Sequence, residues 1–224
     1  MTASSQLSQK QIVDGLPPLK GCWTFVGDVH GRLNSLPKLG HPVVQIGDMG
    51  IGFVESKDDE QQLRRRDDLW FIRGNHDDPA ACRSHPRYLG DWGQHDFMFW
   101  VSGAWSIDQN FRVEGLSWWR EEELNYEESR RAFDDYVAAR PRLMISHDGP
   151  ACLFTQGGAM ELAMFQTTST SSLLQTMLEA HQPEFWLFGH HHKSRSFTLG
   201  STHFRCLNVE EQVTLCFDDN KAIH

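Results

Sequence analysis

Trp23-Thr24-Phe25-Val26-Gly27-Asp28-Val29-His30-Gly31 carries the pattern from which the rest of the chain can be read. A run of aromatic and β-branched residues gives way at once to a glycine, then to a carboxylate and an imidazole two positions apart. A short apolar run bounded by turn residues reads as a buried strand, and strands covered on both faces are apolar throughout. The same layout recurs along the sequence. Val43-Val44-Gln45-Ile46 runs into Gly47-Asp48-Met49-Gly50, and Leu69-Trp70-Phe71-Ile72 precedes Gly74-Asn75-His76-Asp77. Leu143-Met144-Ile145 leads to Ser146-His147-Asp148-Gly149, and Phe185-Trp186-Leu187-Phe188 leads to Gly189-His190-His191-His192.

Helical patterns separate some of these strands. One is the charge-rich stretch 58–68, whose Arg64-Arg65-Arg66 run is balanced by Asp58, Asp59, Asp67 and Asp68 as on a solvated face. A second spans 121–139, with Leu124, Phe133 and Val137 as expected buried positions. A third spans 170–181, opened by a Ser/Thr cluster and stopped before Pro183. Alternating apolar and polar residues predict β-hairpin structure over 97–119, around Gly103 and Gly115, and over 196–217, around Gly200. Strands alternating with helices and followed by hairpins make an α/β sandwich with at least one mixed sheet. Residues 1–20, ending at Pro17-Pro18, read as a flexible lead-in, and 21–224 as a single domain without repeats.

Bulk composition narrows the function. With 39% apolar and 23% charged residues in 224, the chain is an ordinary globular protein with enough length to bury a core. No apolar run is long enough for a bilayer, and the Ser/Thr/Gln-rich start lacks the layout of a secretory signal. Five scattered cysteines with no C-x-x-C pair predict free thiols in a reducing compartment, so a cytoplasmic address is expected. A net charge of -9 argues against broad nucleic-acid binding, which needs a positive face.

In open α/β sheets, ligands bind beyond the carboxyl ends of the strands. The polar clusters after these strands can therefore converge on one place. Asp28 and His30, two apart in an extended segment, would project to the same side and share a metal. His190 and His192 could reach two adjacent ions from a sharp turn. Asp48 has two carboxylate oxygens and could bridge both, Asn75 offers a neutral carbonyl oxygen, and His147 another nitrogen. This inventory of nitrogen and oxygen favours Mn²⁺, Fe, Zn²⁺ or Ni²⁺ over a thiolate zinc site. His41, His85, His95, His181, His203 and His224 have no partner pattern and read as ordinary surface or core residues.

The ordered set D-x-H, G-D, G-N-H-D, a lone histidine and G-H-x-H, from Gly27 to His192, resembles the calcineurin-like metallophosphoesterase family. Its compact build is closest in kind to stand-alone bacterial and phage members. The resemblance implies a four-layer αββα sandwich of two mixed sheets with two metal ions, Mn²⁺ foremost, at its edge. It implies Asp28, His30 and His192 on the first ion, Asn75, His147 and His190 on the second, and Asp48 bridging. It further implies that His76 contacts the phosphoryl group or leaving oxygen while Asp77 orients its ring. Two ions about 3.5–4 Å apart would lower the pKa of a shared water enough to supply hydroxide for in-line attack. Because His76 is present, monoesters as well as diesters are open to such a site.

The second motif departs from the phosphoprotein phosphatase branch. That branch, and the related dinucleoside tetraphosphatases, carry G-D-x-x-D-R-G, whereas here Gly47-Asp48-Met49-Gly50-Ile51-Gly52-Phe53 has no arginine. Phosphate could instead be gripped by the amides of Asn75 and His76, by Arg73 or by Arg112. His191 is expected to be structural. Asp148 either supports His147 or simply completes a turn. Trp118-Trp119 is expected to pack on the following helix rather than form an aromatic lip. The function expected is hydrolysis of small phosphate esters, nucleotides among them. A nuclease or a catalytically weak scaffold for partner proteins are the alternatives, and the full set of site residues disfavours the scaffold.

Overall fold

The computed structural model describes residues 15–52, 61–218 and 222–223. Among them are strands β1 (Gly21–Val26), β2 (Val43–Ile46), β3 (Leu69–Ile72), β4 (Trp92–His95), β5 (Met98–Val101) and β6 (Leu143–Ser146). They continue with β7 (Phe185–Phe188), β8 (Arg195–Leu199), β9 (Thr202–Cys206), β10 (Gln212–Phe217) and β11 (Ala222–Ile223). The helices are α1 (Pro79–Arg83), α2 (Tyr126–Ala139) and α3 (Ser169–Ala180).

Two mixed sheets form, in the orders β11-β10-β1-β2-β3 and β4-β5-β6-β7-β9-β8. In the first, β1, β2 and β3 are parallel and β10 is antiparallel to β1. In the second, β5, β6, β7 and β9 are parallel, flanked by antiparallel β4 and β8. The sheets bury alternate residues against each other. Trp23, Phe25, Val44, Ile46, Trp70 and Ile72 meet Met98, Trp100, Leu143, Ile145 and Leu187 in one core. The opposite faces are also apolar, which is why these runs lack polar alternation. Val43, Leu69 and Phe71 pack under Leu36, Leu63, Cys82 and Tyr88, while Phe99, Met144, Trp186 and Phe188 pack under α2 and α3. The α/β class and αββα layering are those expected.

Both long helices open on a reciprocal cap. The Asn125 side chain accepts from Glu128 N–H at 3.0 Å and Glu128 returns the bond to Asn125, while Thr168 and Ser171 do the same for α3. The buried stripe of α2 runs through Ala132 and Tyr136, so Val137 falls one step around the helix and is 39% exposed rather than buried. The expected helix over 58–68 falls partly on residues 53–60, outside those described; residues 61–63 are helical.

Other expectations need correction. The first hairpin is β4–β5, at 92–101, and most of 102–119 is irregular, because its glycines serve turns instead of a strand reversal. The second hairpin forms around Gly200 but is confined to β8–β9, at 195–206; 212–217 is β10, which crosses to the other sheet to pair with β1. Residues 1–14 lie outside those described, but the end of the expected lead-in is folded: Leu16 and Leu19 join the inter-sheet core. Nor are all the cysteines free. Antiparallel pairing sets Cys22 directly opposite Cys216, and the two form a disulfide across 194 residues; Cys82, Cys152 and Cys206 are free thiols. Among the described residues no helix is long and apolar enough to cross a membrane.

Candidate metal centre

Parallel strands β1, β2 and β3 of one sheet and β6 and β7 of the other deliver their polar clusters to a common edge. The backbone turns abruptly there. Of seven non-glycine residues with positive φ among those described, four are expected ligands: His30 (47°), Asp48 (59°), His190 (64°) and His192 (50°). Side-chain-bearing residues adopt this region at a cost, and such strain gathers at functional sites. Asp28 and His30 were expected to share a side through an extended segment. A left-handed turn at His30 brings them together instead.

Two overlapping groups result. In the outer one, His192 Nε2 lies 3.1 Å from Asp28 Oδ2 and 3.0 Å from His30 Nε2. His30 Nε2 is 4.0 Å from Asp28 Oδ2 and 3.9 Å from Asp48 Oδ2. In the inner group, His147 Nε2 lies 3.2 Å from the other Asp48 oxygen, Oδ1, and the His147 and His190 rings meet at 5.2 Å. Within each group the candidate ligand atoms all lie within 4.8 Å of one another, and Asp48 belongs to both.

The donors fit cations. Asp28 Oδ2, Asn75 Oδ1 and His147 Nε2 are buried yet have no hydrogen-bond partner, the close Asp28–His192 and Asp48–His147 approaches lacking hydrogen-bond alignment. A buried polar atom without a partner is costly. His147 Nδ1 donates to the Ile46 carbonyl at 3.0 Å, which turns the Nε2 lone pair inward. Asn75 Nδ2 donates to Ser106 Oγ at 3.1 Å, which turns its carbonyl oxygen the same way. Backbone cradles the pair: a Cβ on Gly74 would sit 2.1 Å from Asp48 Oδ1 and 2.5 Å from His147 Nε2. Only glycine permits that approach.

The electrostatics point the same way. Burial opposes a charge on His147, but the Asp48 carboxylate beside it prevails and pushes it up to about 10. Burial likewise works against ionised Asp48, which His147, His76 and His30 nonetheless hold well below the carboxylate range. Burial pulls His190 down to about 4, and it lowers His30 and His76 despite the pull of Asp48. Asp28 raises His192, so the carboxylates draw positive charge onto His147 and His192 while His30, His76 and His190 are biased toward the neutral form. A divalent ion would answer the same negative field.

Asp77 does not orient the His76 ring. Its Oδ1 accepts from Gly50 N–H (2.7 Å) and Ile51 N–H (2.9 Å), and its Oδ2 from Gly74 N–H (2.8 Å) and Met49 N–H (3.2 Å). It laces the Asp48 loop to the Asn75 loop. The neighbour of His76 is Arg112, whose Nη2 lies 2.6 Å from His76 Nε2. Arg73 is fully buried and spent on Asp91 Oδ1 (2.7 Å) and the Glu122 carbonyl (2.6 Å), and His76 N–H already donates to Asp48 Oδ1 at 2.8 Å. Of the phosphate-gripping candidates, Arg112 is therefore the guanidinium at the site. Asp148 accepts from His191 Nε2 at 2.9 Å, not from His147, and His191 packs on Phe154 at 4.0 Å as a structural residue.

Three positioning residues escaped the sequence reading. Buried Glu122 accepts from Ser106 N–H (2.9 Å) and Ser106 Oγ (2.5 Å), completing a Glu122–Ser106–Asn75 relay. Gln45 ties two strand ends together, donating to the Gly27 carbonyl (3.3 Å) and accepting from Gly47 N–H (3.0 Å). Polar Gln45 inside an apolar run was the one visible signal.

No protein-family model and no curated protein matches the sequence. A solved structure shares its fold. A Staphylococcus aureus protein described as a "putative 5'-nucleotidase", solved with alpha-ketoglutarate, superposes with TM-score 0.53 and 13% identity over 89% of this chain. The chain spans 51% of that protein's length. The phosphopantetheinyl hydrolase of Mycobacterium tuberculosis gives TM-score 0.46 and 14% identity, covering 87% of this chain and 92% of its own.

Proposed function

We propose that this chain is a dinuclear metal-dependent phosphoesterase hydrolysing small phosphate esters, with Mn²⁺ as its preferred ion and Fe, Zn²⁺ or Ni²⁺ as alternatives. The observation that carries the proposal is the shared Asp48 between two donor groups whose buried atoms Asp28 Oδ2 and His147 Nε2 have no hydrogen-bond partner, together with the equally unpartnered buried Oδ1 of Asn75. Asp28, His30 and His192 would hold one ion, Asn75, His147 and His190 the other, and Asp48 both. Two such ions, when bound, supply an activated water and offset the charge on the phosphoryl oxygens.

The chain's own groups do the rest. Asp77 and Gln45 fix the loops so that donors meet without reorganisation. His76, whose ring lies against His30 at 4.9 Å, would contact the phosphoryl group or the leaving oxygen. The acidic balance of the chain favours small substrates over nucleic acid.

The test is hydrolysis of p-nitrophenyl phosphate and bis-p-nitrophenyl phosphate with Mn²⁺ or with chelator, beside the Asp48→Asn and His76→Ala variants. Mn²⁺-dependent turnover that both variants lose supports the proposal. Tight Mn²⁺ binding without turnover of either ester overturns it.

A further inference from the structure

Residues 106–119 form a loop that the metal centre does not explain. It is built rather than loose. The Val113 carbonyl accepts N–H groups from Leu116, Ser117 and Trp118 at 3.1, 2.9 and 3.2 Å, and Val113 N–H donates to Ser117 Oγ at 3.0 Å. Trp119 is buried at its root, and Ser106 at the other root is held by Glu122.

This scaffold aims one guanidinium at the site. The Arg112 side chain is only 9% exposed; its Nε forms an ion pair with Asp108 Oδ1 at 2.7 Å and its Nη1 donates to the Ser117 carbonyl at 3.3 Å. Both partners belong to the loop itself. Nη2 reaches out of the loop to His76 Nε2 at 2.6 Å. Arginine can only donate, so His76 Nε2 is the acceptor, and a phosphoryl oxygen is a better one. The loop that carries this cation also leaves apolar side chains uncovered: Ile107, Phe111, Val113 and Leu116 are 77, 92, 59 and 56% exposed. Four of the nine large hydrophobics exposed among the described residues thus fall within ten positions. Scattered exposed hydrophobics need no account, but a cluster beside a charged site does.

We propose that residues 106–119 are the substrate arm. Arg112 exchanges His76 Nε2 for the phosphoryl oxygens, freeing His76 to face the leaving oxygen. Ile107, Phe111, Val113 and Leu116 receive the alcohol portion, so the site takes phosphate esters of aromatic or apolar alcohols. The proposal rests on the phosphoesterase function above.

The decisive measurement is calorimetric binding of phenylphosphonate and methylphosphonate to the Mn²⁺-loaded protein, since neither is hydrolysed. The parent should bind the phenyl compound about tenfold more tightly, from the apolar contact alone. A Phe111→Ser/Val113→Ser double variant should lose that preference. Arg112→Ala should weaken both ligands by about a hundredfold, with Arg112→Lys between it and the parent. Leu199→Ser, on the β8–β9 hairpin, should match the parent, and unchanged melting temperatures would establish that the variants fold. Equal affinities in the parent, a preference that survives the double variant, or full affinity in Arg112→Ala would overturn the arm. In that case Mn²⁺-dependent hydrolysis of p-nitrophenyl phosphate would persist. A parent with no such hydrolysis of any ester would instead sink the underlying function, and the arm with it.

Discussion

The two halves of the ligand cluster are held very differently. His147 and Asp48 are sealed, at 0 and 1% exposure, with His147 pinned to the Ile46 carbonyl and Asn75 pinned through Ser106 to Glu122. Across Asp48, the His30 and His192 side chains are 25 and 50% exposed, and their Nε2 atoms lie against the Asp28 and Asp48 carboxylates and each other. Orientation of a metal ligand by its outer partners raises affinity, so the inner position should hold its ion tightly and the outer one should exchange. Asp48 would then join a tightly held pole to a labile one.

Substitutions can break that contrast. Asp48→Asn touches both poles and should cost the most, with hydrolysis down by more than about a thousandfold and Mn²⁺ stoichiometry by mass spectrometry falling below that of any single-pole variant. His147→Ala should come next, removing the tight phase of a Mn²⁺ titration. His192→Ala should remove only the weak phase and regain turnover in excess Mn²⁺. If the two histidine variants lose the same phase, the poles are not distinct.

Glu122→Gln and Ser106→Ala sharpen the comparison, since they act on the inner pole without contacting an ion. Each should weaken the tight Mn²⁺ phase by about 10–100-fold and leave the weak phase in place. An equal effect on both phases would make the relay a general support of the fold.

A buried histidine outside the cluster supplies the smallest and most different effect. Burial, with Arg64 and Arg87 nearby, lowers His85 to about 4, and its Nδ1 accepts from Arg87 N–H at 3.1 Å. Its folded pKa lies below the unfolded value, so the unfolded chain takes up the proton first. Stability should therefore fall as pH drops from about 6.5 to 4, by roughly 3 kcal/mol at most, and level off below that. His85→Asn, which keeps an acceptor but cannot titrate, should flatten this pH dependence in urea unfolding. An equally steep profile in that variant would place the sensitivity among the metal-site histidines.

Much of this was legible because the relevant signals are local. Val43–Ile46, Leu69–Ile72 and Phe185–Phe188 appear as strands with the bounds expected, because short, mostly apolar runs closed within two residues by a glycine leave little choice. The convergence of the clusters follows from parallel strands ending at one edge. What stayed hidden depends on the irregular segment 102–122, where no periodicity reports the path. Ser106 and Glu122 gain their roles only from where that segment folds back, and the same path decides between Arg112 and Arg73, which the sequence left as equal candidates. Asp77 was misjudged because adjacency to His76 in sequence says nothing of which way each side chain leaves the turn. Cys22 and Cys216 were invisible as a pair, since their register is set by strands at opposite ends of the chain.

That last bond has a consequence for how the protein would come apart. A covalent tie between residues 22 and 216 turns nearly the whole sequence into a closed ring, with Asp28 and every other candidate ligand inside it. A single protease cut anywhere on the ring, including within the substrate arm, leaves one covalent molecule that migrates intact until a reductant is added. Nicked protein could then keep its metal centre together, with the cut visible only on a reducing gel.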